Sequence, residues 1–521
     1  MYVLGRTGLR RNAAVLALLF AAGAAAAQQP EPVLYTVSIP APATSIARVE
    51  ARFPTASNPT VDLMMPVWSP GYYVREDYAR RVQHLIARSP AGDSLTIEQP
   101  QPNHWRVHTG GAATFTLIYE VQCTQRSVTG NSVGTDIAVL NGAPTFITLA
   151  DPAPRPHDVR LELPAGWRHT ATSLAMAPDG QPNHYLAANY DELVDSPIVM
   201  GNISFHGFDV GGAHHVLADA GDVPETWNGQ LAAQNLERIA RATERFWGFL
   251  PFRKYVFLNV FRQGGGGLEH LNSTLLTSSP RSEGAGNLRW LAFVAHEYFH
   301  AENVKRLRPI ELGPFNYDEP PTTESLWIAE GLTSYYGNLL VSRAGLGTVQ
   351  DLLASLSGSI TSLQTTPGRR VQTLEQASLG IFATGGSGVG GDRNTTVSYY
   401  VKGSVVGWLL DARIQEVTNG ARSLDDVMRL AWRRYSGERG YTPDEFVAAA
   451  SEVAGADLTG FFDKALRTTD ELDYSEALDW FGLRFAPSAD PAQAWTLEVR
   501  PDATPAQQER LRRWAGSGWE S

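Results

Sequence analysis

The segment His296-Glu297-Tyr298-Phe299-His300 holds two imidazoles four residues apart with a carboxylate beside the first. On a helix, positions i and i+4 share a face, so both rings can reach one ion while Glu297 leans toward a water beside it. Zinc prefers neutral imidazoles and carboxylates, and a catalytic zinc keeps one position open for water. The chemistry open to such a site is hydrolysis. The ion acidifies water and polarises a carbonyl, and Glu297 takes the proton and later passes it to the leaving group. The competing reading is a pair of hydrogen-bonded histidines on a core helix. A third ligand separates the two, and the candidate is Glu330 in Trp327-Ile328-Ala329-Glu330-Gly331. Alone, Glu330 would read as an acid near a helix N-terminus; downstream of the first motif it reads as a ligand, with one Zn2+ per chain.

Two further segments supply what peptide hydrolysis needs. Gly264 to Gly267 precede Leu268-Glu269-His270, and the glycines, Gly267 included, would let a substrate backbone approach closely. Glu269 could pair with a free substrate ammonium, and His270 could assist it or be a packed neighbour. On composition alone, a flexible loop with a solvated charge competes with this reading. Ser398-Tyr399-Tyr400-Val401-Lys402-Gly403 opens a helix, from which a tyrosine hydroxyl could donate to a developing oxyanion. Adjacent tyrosines are also ordinary packing. Arg306 and Arg308 could hold a substrate carboxylate, although a structural ion pair is the commoner fate of such residues.

The elements that must position these residues fall into two kinds. From Val33 to about Ile203, short β-rich runs such as Val33 to Ile39, Ile46 to Phe53 and Thr114 to Val121 are punctuated by Pro, Gly and Asn. This predicts an all-β, sandwich-like domain, with Met65 to Tyr73 too proline-rich for a central strand. After His214 the apolar period becomes helical, with Arg289 to Val304, Ser325 to Ala344 and Tyr400 to Val417 as helices and Tyr255 to Phe261 as a buried strand. The fold class is therefore α+β and multidomain, with expected segments at 1–27, 28–210, 211–473 and 474–521. The glycine-rich stretch 385–391 reads as a mobile loop beside Tyr400.

Composition narrows the setting. With 521 residues, 43% of them hydrophobic, the chain is globular and too long for one core. Residues 1–27 carry three arginines, an apolar run and then Ala25-Ala26-Ala27, the order of a secretory signal peptide. That places the protein in a bacterial envelope or outside the cell, with no stable membrane insertion after signal removal. The formal net charge is −11, and the chain without its signal segment is more acidic still, which argues against nucleic acid and anionic lipid as partners. The single cysteine, Cys123, excludes an internal disulfide and reads as a small buried hydrophobe.

Taken together, these motifs resemble the glycyl aminopeptidase family of gluzincin metallopeptidases. The resemblance runs through Gly267-Leu268-Glu269-His270, His296 to His300, Asn303 to Pro309, Leu326 to Tyr336 and Ser398 to Gly403. In the first part of the chain it includes Met65 to Tyr73 and Asp195-Ser196-Pro197-Ile198-Val199-Met200-Gly201. It implies an N-terminal β domain on a thermolysin-like catalytic domain, and release of N-terminal residues, Gly and Ala preferred, from peptides with a free N-terminus. It also implies that Glu269 binds the substrate α-amine and that Tyr400 is the transition-state tyrosine. An endopeptidase and a non-catalytic peptide-binding envelope protein are the alternatives. The chain departs from the family in two places. Glu302 stands where an aromatic residue is usual, and the stretch after Phe485 is too short for the PDZ domain that members commonly carry.

Overall fold

The computed structural model describes residues 30–151, 153–279, 284–384, 391–488, 490 and 494–516. The expected signal segment, 1–27, lies outside the described residues, as does the glycine-rich stretch except Gly391.

The first half of the chain folds into sheets because its strands alternate. Val33–Ser38, Ile46–Pro54 and Thr114–Gln122 each bury every second side chain, the period of a half-buried strand. They lie side by side in an eight-stranded sheet, with Val33–Ser38 parallel to His157–Glu162 and antiparallel to Ile46–Pro54. A four-stranded sheet containing Thr60–Met64 and His104–His108 faces the same core. Leu63, Trp105 and Val107 from it share one hydrophobic cluster with Tyr35, Phe53 and Phe115. Cys123 is buried in this cluster. The proline-rich stretch after Met64 forms an ordered loop, pinned where the Trp68 indole donates to Asn316 O at 2.7 Å.

The second half is built on a five-stranded sheet, in the order Ser204–Val210, Ala213–Gly221, Lys254–Phe261, Ser273–Ser278, Gly266–Glu269. Lys254–Phe261 runs parallel to both neighbours and buries seven of its eight residues. Burial on successive residues, Asn259 included, marks a strand covered on both faces. Gly266–Glu269 closes the sheet as an antiparallel edge. Ser204–Val210 pairs along its whole length with Ala213–Gly221, so this sheet begins before the boundary expected at 210/211, and the β domain ends ahead of Ser204. The tail beyond residue 473 shares the helical core rather than standing apart. Leu511, Trp514 and Ala515, spaced as one helix face, pack into that core, and the Trp514 indole donates to Tyr335 Oη at 2.7 Å.

Three helices carry the chemistry-bearing residues: Leu288–Phe299, Thr333–Arg343 with a π-helical turn Trp327–Leu332 ahead of it, and Tyr399–Val417. They cross at glycines. A Cβ on Gly337 would sit 3.0 Å from Ala292 O and 3.2 Å from the His296 Cβ. A Cβ on Gly331 would sit 2.6 Å from the Gly403 Cα, so the second and third helices touch backbone to backbone. Among the described residues, no helix is long and apolar enough to cross a membrane.

Gly403→Ala tests this crossing. The added methyl would lie 2.9 Å from the Gly331 Cα and 3.0 Å from Trp327 O, and such overpacking costs about 1–3 kcal/mol. The urea midpoint should fall accordingly; an unchanged midpoint would mean that the helices do not approach this closely.

Candidate metal centre and cleft

The spacing read from the sequence brings three side chains to one point. The Nε2 atoms of His296 and His300 lie 3.0 Å apart. Glu330 Oε2 is 3.2 Å from His300 Nε2 and 3.5 Å from His296 Nε2. Ligands held at about 2.0–2.1 Å in a tetrahedron are spaced by about 3.3 Å, so the three atoms outline one face of a tetrahedron of the size zinc requires. Among the described residues no other trio of His, Cys, Asp or Glu side chains converges in this way.

Local structure aims each donor. The His300 Nδ1–H donates to Asn303 O at 2.8 Å, which selects the tautomer whose Nε2 lone pair faces the other two donors. Ser334 Oγ lies 3.4 Å from His296 Nδ1. Glu330 sits inside the π-helical turn, where the wider backbone spiral leaves carbonyls free. The Asn303 amide fills that gap, donating to Ile328 O, Ala329 O and Thr333 Oγ1 at 3.0, 3.3 and 2.9 Å. Burial opposes a charge on Glu330, but His300 and His296 more than offset it and hold the carboxylate at about 2.

Glu297 differs. Burial, together with the Glu269 and Glu330 carboxylates, pushes its pKa well above the usual range despite His300. Its Oε2 is buried without a hydrogen-bond partner, and it points at the edge strand, where a Cβ on residue 267 would collide with its carboxylate. Glycine at 267 therefore makes room for Glu297. Glu269, two residues along the same strand, is 3% exposed, and its Oε1 has no hydrogen-bond partner. Burial raises it to about 7. Gly71 of the β domain packs against this carboxylate with φ at +95°, so both its backbone angle and the lack of space call for glycine. The Tyr400 ring centroid lies 6.1 Å from that of His296 and 4.7 Å from that of Tyr399. Burial raises the Tyr400 pKa and keeps its hydroxyl protonated. All of these residues line a cleft of about 840 Å³ between the two halves of the chain.

Other expected site residues stand back from the cleft. The His270 Nδ1 is 3.0 Å from Asp195 Oδ1, which also accepts from Lys305 Nζ at 2.8 Å; Asp195 Oδ2 accepts from the Leu271 N–H at 2.7 Å. His270 thus braces the end of the edge strand and is not a cleft-lining residue. Arg306 donates to Leu271 O, Ala301 O and Asn272 Oδ1, and Arg308 to Glu438 O. Their partners are carbonyls and an amide, neither a ligand carboxylate nor the ion pair expected. Glu302 is fully buried beside Arg306, with neither carboxylate oxygen hydrogen-bonded. Reading by spacing missed Gly71, Tyr73, Asp195 and Asn303 as parts of the site. Asp195 lies 75 residues before His270, and only its place in a quoted motif marked it.

Residues 34–202 match the model of the peptidase M61 N-terminal domain, and residues 289–406 that of the M61 glycyl aminopeptidase, together more than half of the chain. An aminopeptidase N family protein from Idiomarina loihiensis is similar in structure, with a TM-score of 0.82 at 25% identity over 87% of this chain and 78% of that one. A variant M1 zinc metallopeptidase from Deinococcus radiodurans, bound to a Tyr-Ser-Ala substrate, shares the fold at a TM-score of 0.52 and 14% identity, over 85% and 95% of the two chains. No curated protein matches the sequence.

The Asn303 amide is the tie between the first metal helix and the turn that carries Glu330. Asn303→Ala should weaken divalent-metal affinity about 10- to 100-fold, as loss of outer partners does elsewhere. Competition against a chelating fluorophore measures it, and wild-type affinity in the variant would show that the tie is dispensable.

Proposed function

The chain belongs to the M61 glycyl aminopeptidase family, and on that basis we propose that it is a zinc-dependent aminopeptidase acting on peptides with a free N-terminus, with glycine and alanine preferred at that end. The observation that carries the reading is the convergence of His296, His300 and Glu330 donors at 3.0, 3.2 and 3.5 Å, with Glu297 alongside. A zinc ion held by these three residues, one per chain, would supply Lewis acidity to a peptide carbonyl and to water.

The chain's own residues do the rest. Glu297, with its raised pKa and unpaired Oε2, takes the proton from the attacking water and delivers it to the leaving amine. The Tyr400 hydroxyl donates to the carbonyl oxygen as negative charge develops there. The Glu269 carboxylate, buried and with an unpaired oxygen, accepts from the substrate ammonium and so sets the cut one residue from the N-terminus. Gly267 gives the substrate backbone access to the edge strand. Gly71 and Tyr73 crowd the Glu269 end of the cleft, which agrees with a small first residue. Export to a bacterial envelope is part of the same reading, supported by the N-terminal sequence and by a single, buried cysteine.

Metal content and hydrolysis of Gly- and Ala-arylamides, measured beside Glu297→Gln, test the proposal. Expected are one zinc per chain, and a variant that keeps the metal but loses at least about 10²-fold in kcat, the lower end of the range for a general base. A protein without metal would sink the reading. Glu269→Gln should cut turnover of free-amine substrates while sparing N-blocked ones; an equal fall on both would make it an endopeptidase. Gly267→Ala should displace the buried Glu297 side chain, which the added methyl would overlap from the carboxylate back to Cγ, and so lower kcat; wild-type kcat would show that Gly267 makes no room for Glu297.

A further inference from the structure

The cleft holds a buried carboxylate, Glu269, toward one end and a guanidinium, Arg289, toward the other, with the helix Leu288–Phe299 running between them. Leu288, Arg289, Ala292, Phe293, His296 and Glu297 all face the cleft, as one stripe of a helix does. Glu269 stands at the C-terminal end of that helix, within the field of His300 and Lys305. Arg289 stands at the other end, seven residues before His296 and so about 10.5 Å away along the axis.

Arg289 is exposed, and among the described residues its guanidinium has neither a hydrogen-bond nor an ion-pair partner. Elsewhere the arginines of this acidic chain are commonly paired, as Arg369 is with Glu471, Arg434 with Glu452 and Arg439 with Glu445. A second arginine lies behind the cleft wall. Arg262 is 7% exposed and donates to Ser132 Oγ, Ser127 O and Thr277 Oγ1, with no carboxylate among its partners. Ser127 itself lines the cleft. Asp351 also lines the cleft as an ionised carboxylate whose Oδ2 accepts from the backbone N–H and hydroxyl of Thr348, and it makes no ion pair with Arg289.

We propose that Arg289 binds the C-terminal carboxylate of the substrate, so that short peptides with both termini free are the preferred substrates of this cleft. This rests on the aminopeptidase reading, in which Glu269 holds the ammonium end. An extended chain advances about 3.3–3.6 Å per residue. A carboxylate two or three residues beyond the scissile bond therefore falls about 7–11 Å from the reacting carbonyl, level with Arg289 along the helix. That length corresponds to tri- and tetrapeptides. A dipeptide carboxylate falls short of it, and a longer chain passes it. The planar guanidinium can meet a carboxylate with two parallel N–H···O bonds, which an amide cannot accept in the same way.

The experiment compares Ala-Ala-Ala as the free acid and as the C-terminal amide, on wild type, Arg289→Gln and Arg289→Lys. Because Arg289 is exposed, wild type should favour the acid by about two- to fivefold in kcat/KM, mainly through KM. Arg289→Gln should bring the two substrates to near parity, with Arg289→Lys between. Wild type treating acid and amide alike, or Arg289→Gln keeping the preference, overturns the proposal. Calorimetric binding of the same two peptides to Glu297→Gln makes the comparison without turnover. Ala-arylamide cleavage without an acid preference sinks the carboxylate subsite alone, whereas failure to cleave any arylamide counts against the aminopeptidase reading itself.

Discussion

Three carboxylates, those of Glu269, Glu297 and Glu330, are buried in one cleft, and most of what surrounds them serves to make that tolerable. Removing a carboxylate from water costs on the order of several kcal/mol even after relaxation, and like charges close together add to it. The three acids answer this differently. Glu330 stays ionised because two imidazoles face it. Glu297 and Glu269 are pushed toward their neutral forms by burial. A dication at the His296, His300 and Glu330 donors would shift the balance toward the charged forms, which is what the proposed roles of Glu297 as base and Glu269 as ammonium receptor require. The arrangement is costly without such an ion, and so it favours a metal site over a satisfied histidine pair.

The β domain takes part in this balance. Its Gly71 presses on the Glu269 carboxylate, and its Asp195 neutralises Lys305 while gripping His270 and the Leu271 N–H. The end of the edge strand is thereby held from the far side of the domain boundary. Glu269, with an oxygen left unpaired, depends on its backbone for its place. The cleft is thus shared between domains, and its Glu269 end would be loose without the first domain.

Much of this was legible in the sequence, for identifiable reasons. Spacing of i to i+4 reports a helix face directly, so His296 and His300 could be paired before any fold was known, and the apolar period placed the helices around them. Alternation showed the β domain, and the mostly apolar run Tyr255 to Phe261 read as a buried strand. Contacts between segments distant in the chain were not legible. Asp195 meeting His270, Gly71 meeting Glu269 and Asn303 filling the π-helical turn have no periodic signature. The choice left open for His270, between assisting Glu269 and packing beside it, turned on one such distant contact, that with Asp195. The boundary near residue 210 failed because a hairpin joins the second sheet to the last strand of what looked like the first.

The third-ligand helix shows how far the support of such a site extends. Glu330 is aimed by a π-helical turn, a conformation that persists only where neighbours fix it. On one side Gly331 rests on Gly403 and on the Tyr399 carbonyl, the backbone just before Tyr400. On the other, the helix continues into a buried polar set: Tyr335 donates to Asp411 at 2.6 Å, Tyr336 to Asp425 at 3.1 Å, and Arg343 pairs with Asp425 at 2.9 Å. The C-terminal helix closes this set through Trp514, with the Ser342 hydroxyl donating to Ala515 O. A buried network of this kind is stable only when each member is satisfied. The tail of the chain is therefore coupled to the position of the metal ligand through Tyr335 and Arg343, and substitutions remote from the cleft can move Glu330 without touching it.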